Sequence, residues 1–182
     1  VAKKHGLWDG ESEFIWYKVF GNDYSNGKNF REREWFILNS LAPSLELSMD
    51  DEDLPFSVKP DEKVDVRKVM ELLRSTYEGT ELDMTRNLKI VNRKGDTIVS
   101  PNANPWMGSL DVDTYNMMAP NSVEFQRTVS VSWCSYSFVA QLRNWMPNEI
   151  GGILWYSVEN PGQSPRIPIF TGSTELPSCF SE

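Results

Sequence analysis

Residues 127–170, RTVSVSWCSYSFVAQLRNWMPNEIGGILWYSVENPGQSPRIPIF, constrain the fold most, because turn-forming residues divide them into three apolar runs. Val129, Val131 and Trp133 alternate with Thr128, Ser130 and Ser132, the period of a half-buried strand. Phe138, Val139, Leu142 and Trp145 then recur at helical spacing, and Pro147 supplies a stop, so a helix is expected there. Gly151-Gly152 opens a second apolar run over 153–158, closed by Asn160-Pro161-Gly162, and a third run spans 167–170. Strand, helix, strand, turn, strand predicts a sheet edge covered by one helix.

Upstream, Val66, Val69, Met70, Leu73 and Tyr77 fall on one stripe of a helix over 66–77, with Asp65 as N-cap and Gly79 as terminator. Trp35, Leu38 and Leu41 lie three apart and predict a short helix over 32–41 that ends before Pro43. Residues 13–20, EFIWYKVF, are aromatic and β-branched enough to predict a strand. Residues 1–4 read as the tail of a helix, with Gly6 just past its cap. Loops are expected at 21–29, at the acidic connector 44–60 and over 79–122, with a turn at Lys94-Gly95-Asp96. The fold class is α+β, and 182 residues suit a single domain. Leu73, Trp133, Trp155 and Phe170 should be mostly buried, and the helix over 66–77 should pack on the sheet of the last three strands.

A net charge of −8 argues against nucleic acid and anionic membrane as partners, since phosphate binding needs clustered Lys and Arg. Residues 50–53, DDED, lack the glycine and spaced ligands of a calcium loop and read as a solvated acidic turn. No run reaches the ~20 apolar residues that cross a bilayer. No apolar core of a secretory leader follows Val1, which in a piece of a longer chain leaves the compartment open. With one histidine, His5, and no CxxC, a zinc site is not expected. Cys134 and Cys179 allow one disulfide or none, and Cys134 reads as a small buried hydrophobe.

Three stretches carry a resemblance: LLRSTYEGTELDMT over 72–85, SPNANPWMGS over 100–109, and RNWMPNEIGGILWYSVENPGQSP with RIPIFTGSTELP behind it. Together they resemble the dipeptidase A family, cysteine peptidases of the N-terminal-nucleophile hydrolase superfamily. The resemblance implies part of an αββα sandwich, a dipeptide substrate, and no metal or organic cofactor. It also implies an internal piece of a longer polypeptide, whose N- and C-terminal parts would be its partners. The family attacks with a cysteine made residue 1 by processing, so this chain alone would be inactive. For the same reason Cys134, with no histidine near it, is not expected to be the nucleophile.

Such chemistry needs a thiol, its own α-amine as base, an oxyanion hole and groups that hold the substrate. Only the last two are sought here. Asn160, at the end of an apolar strand, is the candidate oxyanion donor, by analogy with an Asn-x-Pro segment in penicillin and bile-salt amidases; an ordinary Asn-Pro turn is the other reading. Arg127 is read either as a bidentate clamp on a dipeptide carboxylate or as a structural ion-pair member. Trp133, Trp145, Trp155 and Tyr156 belong either to the core or to a substrate cleft. Gln141, Arg143 and Asn144 receive no role. The alternative function is a non-catalytic peptide- or glycan-binding module built on these aromatics.

Overall fold

The computed structural model describes residues 1–20, 28–51, 54–175 and 178. Five α-helices are described: α1 (Trp16–Phe20), α2 (Lys28–Leu41), α3 (Val66–Arg74), α4 (Ser109–Met118) and α5 (Asn148–Gly151). Five strands form two antiparallel sheets, a hairpin of β1 (Lys89–Val91) and β2 (Thr97–Val99), and a three-stranded sheet of β3 (Tyr136–Leu142), β4 (Gly152–Val158) and β5 (Ile167–Phe170). The α+β class follows directly.

Local signals account for much of this. The Asp65 carboxylate accepts the Lys68 N–H at 2.7 Å and starts α3. The helix ends at Arg74 rather than 77, because the chain turns extended at Ser75 and left-handed at Tyr77 (φ 69°). Tyr77 is fully buried, stacks edge-on against Phe36 of α2 at 5.2 Å, and donates its hydroxyl to the Arg127 carbonyl at 2.9 Å. α2 closes before Pro43, and Gly6 sits left-handed after the 3-10 turn Lys3–His5. In the β1–β2 hairpin, Gly95 at φ 87° closes the turn, with its N–H on the Asn92 carbonyl at 3.0 Å.

Several expectations are corrected. Residues 138–142 pair with β4 along their whole length, Phe138 opposite Tyr156 and Leu142 opposite Gly152, so they form strand β3 and not a helix. The run 13–20 yields the short helix α1 instead of a strand. The stretch 79–122 is not a loop: it contains the β1–β2 hairpin and α4. Its Met84, Met107 and Val112 pack with Val123 into the buried apolar cluster, against which Leu88, Tyr115 and Phe125 lean.

The strand expected over 128–133 does not form: the chain bends at 129–130 and turns at 132–133, and a two-residue alternation survives only over 126–131, in the opposite phase. Gln126, Thr128 and Ser130 are buried, Val129 and Val131 are half-buried, and Trp133 is 56% exposed. Phe170 is 38% exposed at a sheet edge, whereas Leu73 and Trp155 are half-buried; α3 does lie against β3. Cys134 is half-buried in irregular chain before β3, its thiol free and donating to the Tyr136 carbonyl at 3.1 Å. Cys179, Asp53 and most of the expected loop over 21–29 lie outside the described residues. No described helix is long and apolar enough to cross a membrane.

Candidate functional site

The end of β4 feeds Asn160 into a compact polar knot. Glu159 takes a left-handed backbone (φ 57°), which swings the chain out of the sheet and turns Asn160 inward, where it is 4% exposed. Asn160 Oδ1 accepts the Ser130 hydroxyl at 2.5 Å and the Gly162 N–H at 2.8 Å. The Gly162 N–H can bond only an acceptor, so the amide oxygen must face it and the orientation of the side chain is set.

Ser130 Oγ is saturated in turn. It donates to Asn160 and accepts both Trp106 Nε1 at 3.2 Å and the Gly162 N–H at 3.0 Å. The Ser130 backbone N–H reaches the Ser75 carbonyl at 2.9 Å, and the Thr128 hydroxyl closes onto the Ser130 carbonyl at 2.5 Å. These bonds explain the inverted phase of 126–131: Thr128 and Ser130 point inward because their partners are there. Gly162 admits this approach only without a side chain, since a Cβ there would sit 2.6 Å from Ser130 Oγ and 2.7 Å from Trp106 Cζ2.

The amide nitrogen of Asn160 is different. Nδ2 is shielded from solvent and has no hydrogen-bond partner among the described residues. A buried donor left unmade costs about 1–3 kcal/mol, so Asn160 carries an unspent donor beside a fully occupied acceptor.

Trp106 and Gly162 also line an open cleft of about 390 Å³, whose other walls include Arg74, Thr76, Glu78, Asp83, Thr85 and Ser100. The Glu78 carboxylate accepts the Ser75 hydroxyl at 2.8 Å, the Thr76 N–H at 3.0 Å and the Thr76 hydroxyl at 2.8 Å. Partial burial pushes its pKa up, but these bonds and one from its own N–H outweigh that and hold it below the ordinary value. Asp83 accepts the Thr85 N–H and hydroxyl at 2.8 and 2.7 Å. Both acids are therefore oriented, and Glu78 is held in its ionised form, on a wall that also carries Arg74.

Neither of the two residues singled out from sequence lines the cleft; Asn160 lies in the knot, bonded to the lining residue Gly162, and Arg127 lies apart from it. Arg127 is half-buried and contributes its carbonyl to Tyr77. The four aromatics named above do not line the cleft either; Trp155 bonds Gln141 Oε1 at 3.1 Å, and Trp145 is exposed. The cleft tryptophan is Trp106, from chain expected to be loop. Periodicity could not find these residues, but two of the three resemblance stretches, 72–85 and 100–109, supply most of the cleft, and the third supplies Gly162.

An α+β chain whose charged cleft adjoins a buried polar knot has the makings of a small-molecule site. The sequence profile of peptidase family C69 matches residues 1–182, and the chain belongs to that family. A probable dipeptidase of Latilactobacillus sakei is 25% identical over 173 residues, covering 94% of this chain and 30% of the relative. A probable dipeptidase of Salmonella dublin is 25% identical over 175 residues, covering 94% of this chain and 33% of the relative. The chain thus spans about a third of the length of these curated relatives. No solved structure matches it.

Proposed function

We propose that these residues are part of a cysteine dipeptidase and supply its substrate cleft and oxyanion donor. Membership of family C69 and two relatives named probable dipeptidase support the reaction class. The observation that carries the assignment of Asn160 is its unspent Nδ2 donor, held beside the cleft by two bonds to its own oxygen.

In this reading the two antiparallel sheets belong to a larger αββα sandwich, and 1–182 forms part of a single domain completed by polypeptide outside it. That polypeptide brings the cysteine at its processed N-terminus. The thiol attacks the peptide carbonyl carbon, a C–S bond forms, and the carbonyl electrons move to oxygen. The cysteine's α-amine takes the thiol proton and passes it to the departing amine. Water then hydrolyses the thioester. Asn160 donates Nδ2–H to the oxyanion without adding charge, a contact that strengthens only as charge develops. Reaching Nδ2 requires the atoms that shield it to shift.

Two left-handed non-glycine residues, Tyr77 and Glu159, directly precede Glu78 and Asn160. Strain of this kind costs about 1–3 kcal/mol and concentrates at functional sites. The binding-module alternative rests on exposed Trp133 and Trp145, and neither reaches the cleft. In the full-length enzyme, Asn160→Asp decides the matter. It keeps an oxygen for Ser130 and Gly162 but removes the donor, so kcat should fall roughly 100-fold or more with the fold intact. Wild-type kcat in that variant would return Asn160 to a structural role.

A further inference from the structure

Arg166, in the segment between the Asn160 turn and β5, is half-buried, and its Nε, Nη1 and Nη2 are all shielded from solvent. None has a hydrogen-bond partner among the described residues. A guanidinium stays charged at neutral pH and offers five donors, so leaving all of them unpaired and dry is costly. Burial, then the nearby Arg74 cation, pulls its pKa down, and Cys134 opposes this. Charged neighbours therefore aggravate its position more than they relieve it.

Arg74 is the link to the cleft. Its side chain is exposed and lines the cleft, and its Nη2 donates to the Ser164 carbonyl at 3.2 Å, two residues before Arg166. The same lining carries Glu78 and Asp83. Two acids against Arg74 alone would leave it net anionic and repel a carboxylate. Arg166 does not itself line the cleft, but its charge beside Arg74 offsets the second acid, and from a shielded position it is screened little by salt.

Resting on the dipeptidase reading, we propose that Arg74 and Arg166 make this part of the cleft a receptor for the C-terminal carboxylate of the substrate. Arg74 makes the contact, and Arg166 acts through its charge. Glu78 and Asp83 then favour the α-ammonium end, so the cleft selects a zwitterion of dipeptide size. In this proposal Arg74 takes the clamp role that was one of the two readings of Arg127.

The test uses the full-length protein and two substrates, a dipeptide and the same dipeptide with its C-terminus amidated. For the wild type, amidation should lower kcat/KM by roughly 100-fold, the scale for stranding a paired charge. In Arg74→Gln that penalty should nearly vanish, because the free dipeptide has already lost the contact. Arg166→Met should shrink the penalty and Arg166→Lys should restore it, the effect appearing in KM rather than kcat. If Arg166→Met does not fold, Arg74→Gln carries the same comparison from an exposed position. Equal penalties in wild type and variants overturn the proposal. So does a wild type indifferent to amidation; a large loss of thermal stability in Arg166→Met would then identify an acidic side chain of the longer polypeptide as the real partner. If the wild type cleaves neither substrate, the dipeptidase reading fails on its own account, and calorimetry judges the receptor separately. Binding of N-acetylglycine but not N-acetylglycinamide, weakened at least roughly 10-fold in Arg74→Gln, supports it, and no binding of either overturns it.

Discussion

The Ser130 hydroxyl meets Asn160 Oδ1 across 2.5 Å and ties the exit of β4 to a bend in the chain thirty residues upstream. Every donor and acceptor of that hydroxyl is used, so its removal affects more than one partner. Ser130→Ala should strip Trp106 Nε1 of its acceptor and the Asn160 oxygen of one of its two donors. We expect a destabilisation of about 1–3 kcal/mol, read from urea unfolding of the full-length protein, together with a changed emission of Trp106. An unchanged midpoint would show that the knot is dispensable.

Gly162→Ala should be at least as harmful. Its Cβ would have to displace both Ser130 Oγ and the Trp106 ring, each nearer than 3.0 Å. Overpacking of this kind costs about 1–3 kcal/mol. Because Gly162 also lines the cleft, KM for a dipeptide should rise along with the loss of stability. Thermal melting and steady-state kinetics on one preparation check both effects.

Tyr77 links stability to high pH. Burial first, and then the Glu32 charge, raise its phenol well above the ordinary 10.0, with Arg33 opposing. The folded state thus prefers the neutral phenol, and this preference is fully present below pH ~10. It is lost progressively as pH rises beyond that value. The fall in melting temperature above pH 10 should be shallower in Tyr77→Phe, which should also lose about 1 kcal/mol at pH 7 through its missing bond to the Arg127 carbonyl. Parallel alkaline limbs in the two proteins would contradict the assignment.

Glu78 acts in the opposite direction. Its folded pKa lies below the ordinary 4.5, so its contribution is present above that value and disappears as pH falls through the lowered one. Glu78→Gln should flatten the acid limb of a melting-temperature profile below pH 4.5. An acid limb identical to that of the wild type would mean that the bonds from Ser75 and Thr76 do not favour the ionised form.

Short-range signals were legible in the sequence. Asp65 marked the start of α3 and Pro43 the close of α2, because capping and the missing proline N–H act within one turn of chain. Gly95 marked the hairpin turn, and the apolar runs in β4 and β5 announced strands. Asn160 was singled out as a candidate from its place at a strand end, and the family was legible from three stretches of residues. Tertiary structure decided the rest. Phe138, Val139 and Leu142 satisfy a helical period as readily as a strand, and only pairing with β4 selects β3. Ser130 alternates with valines as an outward residue would, yet it is buried. Its partners Asn160, Trp106 and Ser75 lie 24 to 55 residues away, and no local pattern can report whether a polar atom will find a mate at that distance. Arg74, Glu78 and Trp106 become one cleft for the same reason: segments far apart in the chain meet only after the core around Met84 and Met107 has closed.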